Sequence, residues 1–166
     1  MRILLSALLA TVLFIHPVYS KNRVNADDLN RKGMQELAAG NNSSAAEYFR
    51  IAITADPSKK NYYNNLAASY MRMNDYNNAE QQLNIAIAID PGYTKALSNM
   101  SVVLFKTGRY REAYEYYMRA KKTDPTYASE RFEKHRVLAR LKEQSKRNPD
   151  DHNLKKIILQ IESGSE

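Results

Sequence analysis

The stretches AAEYFRIAITADP (45–57), AEQQLNIAIAIDP (79–91) and AYEYYMRAKKTDP (113–125) share one pattern of small, bulky and Asp-Pro residues. Each Asp-Pro pair follows the previous one by 34 residues. A fixed period of this length indicates one supersecondary unit repeated along the chain. Stacked units of this kind usually present an extended surface to a partner, so the period bears on function as well as on fold.

Each unit predicts two helices joined by a tight turn. A Gly or Asn recurs in mid-unit, at Gly40, Asn74 and Gly108, and suits a left-handed helix C-cap. The Asp-Pro pair ends the second helix, because Pro has no N–H and disfavours the α region for the residue before it. Small residues recur seven apart on one helix face, where two helices can approach closely: Ala45, Ala52, Ala79, Ala86, Ala113 and Ala120.

This pattern resembles the tetratricopeptide repeat family. The family's unit has small residues at positions 8, 20 and 27, bulky ones at 4, 7, 11 and 24, and Pro at 32. The second and third units match well, with Tyr63-x-x-Leu66-Ala67-x-x-Tyr70 and Leu97-x-x-Met100-Ser101-x-x-Leu104; the first is looser. The resemblance covers Ala26 to about Leu141 and implies an all-α fold, a right-handed solenoid of antiparallel helix pairs.

The predicted organisation follows from these units. We expect a signal peptide at 1–20, a short linker at 21–25, repeats at 26–59, 60–93 and 94–127, a capping helix at 128–147, and a short C-terminal helix and tail at 148–166. Phe132, Leu138 and Leu141 are expected to cover the apolar side of the third repeat.

The beginning of the chain has the layout of a secretory signal peptide. Arg2 precedes a mostly apolar run over 3–15, and Val18 and Ser20 occupy the −3 and −1 positions before Lys21. The run is shorter than the ~20 apolar residues that a membrane-spanning helix needs. We therefore expect export to a periplasmic or extracellular space, with no transmembrane anchor in the mature chain. The short n-region favours a bacterial source.

Composition argues against catalysis. The chain has no Cys, which excludes Cys–Zn sites and thiol nucleophiles. It has no glycine-rich phosphate loop and no HExxH motif. We therefore predict a protein that is not an enzyme and that needs neither cofactor nor metal.

The family resemblance implies a concave groove lined by the first helix of each unit. The residues it places there, with two from the capping helix, are Asn30, Met34, Asn61, Asn64, Asn65, Met71, Arg72, Lys95, Asn99, Val102, Phe105, Lys106, Arg136 and Arg140. Asn65 and Asn99 resemble two rungs of the asparagine ladder with which some family members grip an extended peptide. The alternative is that Asn is simply frequent here. The family's dicarboxylate clamp matches only at Asn65 and Lys95, two of its five positions, and is disfavoured.

The charge distribution points to an acidic partner. After residue 20 the chain has 24 basic and 18 acidic side chains, and residues 106–156 alone have 15 and 8. We expect an interaction module that binds a peptide or protein in the groove, as an accessory scaffold for an envelope or secretion and assembly complex. Two alternatives stay open: a basic surface that binds anionic polymer or lipid, and a secretion-chaperone-like holder of a translocator subunit. Export disfavours nucleic acid, and the oligomeric state is left open.

Overall fold

The computed structural model describes residues 25–131 and 134–163, and nearly all of them are helical. The predicted signal peptide and residues 21–24 of the predicted linker lie outside the described residues. The described helices are α1 (Ala26–Ala38), α2 (Asn42–Ala55), α3 (Lys60–Arg72), α4 (Tyr76–Ile89), α5 (Thr94–Lys106), α6 (Tyr110–Thr123), α7 (Pro125–Arg131), α8 (Lys134–Arg147) and α9 (His152–Ser163). None of them is long and apolar enough to cross a bilayer.

The first six helices form three stacked pairs. Helix α1 packs on α2, α3 on α4 and α5 on α6, and the pairs are joined by contacts of α2 with α3 and of α4 with α5. Helix α3 also contacts both α1 and α5, so the first helices of the three units lie side by side. This arrangement confirms the predicted all-α solenoid, and it gathers one face from three units into a common surface, here called the groove face.

The turns inside the units have the predicted left-handed residue. Gly40, Asn74 and Gly108 have φ values of 86°, 60° and 82°. After α1, the N–H of Gly40 donates to the Leu37 carbonyl (3.2 Å) and that of Asn41 to the Glu36 carbonyl (2.9 Å). These two hydrogen bonds satisfy carbonyl groups at the end of the helix. They need a residue with positive φ at the turn, which explains why Gly or Asn occurs at this position of each unit.

The Asp of each Asp-Pro pair has its own structural role. Asp56, Asp90 and Asp124 cap the second helices with extended φ angles of −147°, −140° and −149°. Their carboxylates accept backbone N–H groups of the following loops, as from Ser58 (3.0 Å) and Gly92 (2.9 Å). The Ser58 bonds hold the pKa of Asp56 below its usual value. The Asp therefore both ends one helix and shapes the turn into the next unit.

The recurring alanines lie in the core. All six are 0% exposed, and Phe49 and Leu83 between them are fully buried as well. On the first helix of the first unit, Gly33 also packs closely, since a Cβ there would lie 2.6 Å from the Phe49 ring. The predicted repeat register is thus confirmed by burial.

The C-terminal helices close the open side of the third unit. Helix α7 packs on α5 and α6, and α8 packs on α6 and α9. The structure describes two helical segments where the sequence predicts one capping helix, on either side of residues 132 and 133, so Phe132 lies outside the described residues. Leu141 is fully buried and Leu138 packs beside it. The predicted cover of the third unit by these two leucines is confirmed.

Helix α9 belongs to this core and is fixed at its start. Leu154, Ile158 and Ile161 pack into the cluster around Tyr114 and Tyr117. The Asp151 carboxylate accepts the Leu154 N–H (2.9 Å) and pairs with Arg111 of α6. The Leu154 N–H and the charge of Arg111 hold the pKa of Asp151 below its usual value. This one side chain therefore caps α9 and ties it to the third unit.

The alanine contacts can be tested by overpacking. We expect Ala86→Leu to lower the free energy of unfolding by about 1–3 kcal/mol, because no space exists for the added atoms. The matched control is Ala88→Leu on the same helix, where the side chain is exposed. Thermal or urea unfolding measures both variants, and equal midpoints for the two would contradict the packing described.

Candidate functional site

The groove face contains many of the predicted site residues, but several of them bond within the chain. The Nδ2 of Asn65 donates to Oδ1 of Asn30 at 2.9 Å, and the Nδ2 of Asn99 donates to Oδ1 of Asn64 at 2.9 Å. Each bond joins unit position 6 to position 5 of the preceding unit. The two bonds form an internal asparagine ladder that links α1 to α3 and α3 to α5.

The expectation that these asparagines offer amides to a peptide is corrected by this geometry. Asn64 and Asn99 are only 6% and 5% exposed, and Asn30 is buried too. The hydrogen bond between buried amides stabilises the fold. A ligand would have to break it to reach these amides, which would leave a buried polar group without a partner. Asn65 is half-buried and its amide nitrogen is already engaged.

Ser98 occupies the ladder position of the third unit. Its Oγ is buried and has no hydrogen-bond partner. At this position the first two units have an Asn, whose Oδ1 accepts a hydrogen bond from the next unit, and the third unit has only a hydroxyl. Among the described residues the ladder therefore consists of two hydrogen bonds.

Further groove residues also serve the fold. A guanidinium nitrogen of Arg72 donates to the Leu37 carbonyl near the end of α1, which links the first two units. Met71 packs against the core around Leu83. These two predicted site residues therefore take part in contacts that hold the fold together, although Arg72 is also exposed to solvent.

The remaining predicted residues are available to a ligand. Met34 is 53% exposed, and Asn61 is half-buried. Lys95 and Lys106 are exposed at opposite ends of α5, and neither has an ion pair among the described residues. Eleven residues separate them, so they lie about 16 Å apart along the helix, near the same side.

A pocket of ≈ 110 Å³ lies at the C-terminal end of α5, where the groove face meets α7 and α8. Val102, Phe105 and Val137 supply apolar walls. The cationic residues around it are Lys106, Arg131 and Arg136, and Ser101 completes the lining. Val102, Phe105, Lys106 and Arg136 were predicted from the sequence, and the structure brings all four together here.

The C-terminal helices complete this pocket. The Arg136 guanidinium lies over the Phe105 ring, 5.8 Å from its centroid, which is within range for a cation–π contact. The other predicted arginine, Arg140, lies outside the lining and pairs with Glu143 at 3.1 Å. Ser101, Arg131 and Val137 are lining residues that sequence reasoning missed. Arg131 and Val137 follow Leu97 and Val103 by one 34-residue step. Leu97 and Val103 are buried in the core of the third unit, so the repeat register does not predict pocket residues at 131 and 137.

The site offers apolar and cationic binding groups. Within 25–131 and 134–163, no three His, Cys, Asp or Glu side chains are grouped so that they could hold a metal ion. Apolar walls with a cationic rim suit a partner that presents an apolar side chain beside a carboxylate.

Comparison with known proteins agrees with the geometry. Two family models, both described as tetratricopeptide repeat, match residues 30–94 and 94–127. The chain therefore belongs to the tetratricopeptide repeat family, whose fold is typically a non-catalytic interaction module. No curated protein matches the sequence.

Several solved structures share the fold. The first TPR domain of human RPAP3 has a TM-score of 0.69 at 24% identity, over 75% of this chain and 98% of that one. The first TPR of Spaghetti (RPAP3) bound to the HSP90 peptide SRMEEVD has a TM-score of 0.61 at 21% identity, over 86% and 94%. The TPR2B domain of yeast Sti1 in its pHsp70 complex has a TM-score of 0.64 at 19% identity, over 72% and 98%. At these identities the likeness shows the fold alone.

The internal ladder can be tested through stability. Asn99→Ala should lower the free energy of unfolding by about 1–3 kcal/mol, because it leaves the buried Asn64 oxygen without its donor. Asn84→Ala, at an exposed position of α4, is the control and should stay within about 0.5 kcal/mol of the parent. Denaturant unfolding measures both. A loss in Asn99→Ala no larger than in the control would show that the ladder does not stabilise the stack.

Proposed function

We propose that this protein is an exported interaction module that binds an acidic, extended segment of a partner protein along the groove face. The observation that carries the proposal is the pocket at the end of α5, where Val102, Phe105 and Val137 are surrounded by cations. The partner's apolar side chain fills the pocket, and neighbouring carboxylates meet the cations.

The unpaired lysines favour an acidic partner. Lys95 and Lys106 have no carboxylate partner among the described residues, so they stay free for a ligand. A carboxylate from the partner would form a charge-assisted hydrogen bond, which is stronger than a neutral one. Because Lys95 and Lys106 lie about 16 Å apart along the axis of α5, we expect separate partner side chains to pair with them. The partner therefore needs more than one acidic residue.

The internal ladder changes how the segment is held. Since Asn64 and Asn99 are buried and bonded to each other, they do not grip the partner's backbone. Exposed and half-buried groups on the rim, such as Met34 and Asn61, contact the rest of the segment. Solved relatives support this use of the fold, since the first TPR of Spaghetti (RPAP3) is bound to an HSP90 peptide of sequence SRMEEVD.

Panning a displayed library of random peptides against the protein tests the binding proposal. We expect selected peptides to combine an apolar residue with at least two acidic ones. Lys95→Glu with Lys106→Glu should weaken their binding at least tenfold, because each change removes a charge-assisted bond worth roughly 1.5–3 kcal/mol.

The matched control is Lys32→Glu with Lys122→Glu, which changes the net charge equally at exposed positions outside the groove face. Its effect should be small and should vanish at high salt, because only long-range attraction is lost. Equal losses in the two double variants would contradict groove binding.

The export part of the proposal rests on residues 1–20, which lie outside the described residues. If this leader is cleaved after Ser20, intact-mass analysis of the native protein gives a chain that begins at Lys21. The protein should also fractionate outside the cytoplasm. A mass that retains Met1 or Arg2, together with cytoplasmic fractionation, would refute export and leave the binding proposal standing.

A further inference from the structure

A second basic site lies on the C-terminal helices and is separate from the groove pocket. Helices α8 and α9 enclose a shallow cleft of ≈ 390 Å³, lined by Lys142, Ser145, Lys146, Lys155, Ile158 and Leu159. None of these residues lines the groove pocket. The two sites can therefore be occupied independently.

Leu159 is the unusual residue of this cleft. It is 64% exposed, the most exposed large apolar side chain among the described residues. The core face of α9 is already filled by Leu154, Ile158 and Ile161, which are buried. Leu159 points away from that core, so folding does not account for an apolar residue at this position.

The lysines around Leu159 are mostly unpaired. Lys142 pairs with Glu162 at 2.5 Å across the two helices. The side chains of Lys146 and Lys155 have no hydrogen-bond or ion-pair partner among the described residues. Both lysines are exposed and line the cleft beside Ile158 and Leu159. A lysine can bury its methylene stem along an apolar surface while its ammonium group reaches lipid headgroups.

The surrounding segment has the same sign of charge. Residues 134–163 include eight Lys and Arg against four Asp and Glu. Basic side chains near an anionic membrane surface are attracted to it, and an exposed apolar side chain among them can add insertion to that attraction.

We propose that the α8–α9 cleft docks on the surface of an anionic phospholipid bilayer. Leu159 enters the boundary between headgroups and acyl chains, and Lys146 and Lys155 pair with lipid phosphates. The groove pocket is a recess that accepts an apolar side chain from a partner, whereas at the cleft the exposed apolar group, Leu159, belongs to this protein and is available for insertion. The combination of charge and apolar exposure therefore favours a bilayer.

Co-sedimentation with vesicles tests this site. Vesicles of phosphatidylglycerol and phosphatidylcholine are compared with vesicles of phosphatidylcholine alone, at physiological salt. We expect the purified protein to bind only the anionic vesicles. Lys146→Gln with Lys155→Gln should weaken binding roughly 30-fold, because each lysine near an anionic surface contributes about 1 kcal/mol. Leu159→Gln should weaken binding roughly tenfold, through the loss of apolar insertion.

Two controls match these changes. Lys32→Gln with Lys122→Gln removes the same charge at exposed positions outside the cleft, and Ile89→Gln removes another exposed apolar side chain, on α4. Both should bind nearly as the parent does, and circular dichroism melts confirm that every variant is folded.

Four results would overturn the proposal. The first is that the protein does not bind anionic vesicles, and the second is that the lysine double variant and its control lose equal vesicle affinity. The third is that Leu159→Gln leaves vesicle binding unchanged. The fourth is that millimolar inorganic phosphate abolishes vesicle binding. The last would indicate a site for a free anion. A silent Leu159→Gln combined with tight binding to polyglutamate would indicate an acidic protein surface. None of these results bears on peptide binding at the groove face.

Discussion

The close approach of neighbouring helices at six buried alanines is the constraint on which the rest of this structure depends. Each alanine is 0% exposed, so only a small side chain separates the backbone from its packed neighbours there, and larger buried side chains such as Phe49 and Leu83 lie between these positions. Interiors packed at this density tolerate little change in volume. The spacing of the stack, and hence the position of every residue on the groove face, follows from these contacts.

The same stacking determines what the asparagines do. A period of 34 residues places position 6 of one unit beside position 5 of the unit before it, at a distance that one amide hydrogen bond spans. Asparagines of adjacent units therefore satisfy each other, and a polar stripe that resembles a ligand site becomes part of the scaffold. Buried polar groups need partners, and here the neighbouring unit provides them.

The C-terminal helices have two roles. Their residues Val137, Leu141 and Leu154 cover the apolar side of the third unit, which would otherwise be exposed to solvent. They also carry cations to two separate places, the end of α5 and the α8–α9 cleft. In both places, cations surround an apolar floor. Part of the excess of basic residues after 105 is therefore divided between two separate sites.

The sequence by itself determined the repeat, the helix pairs, the turn residues and the buried alanines. These features are periodic and local, since Gly40, Asp56 or Ala86 act through backbone geometry or size at one repeat position. It also predicted four of the seven residues that line the groove pocket, which are Val102, Phe105, Lys106 and Arg136. Only the tertiary structure decided which polar residues face a ligand. The distance between helices decides whether an Asn side chain forms a hydrogen bond with the next unit or remains accessible to a ligand. It also decides whether Arg72 can donate a hydrogen bond to α1. Likewise, the exposure of Leu159 depends on how α9 packs against α6 and α8, and a local sequence pattern does not predict this packing.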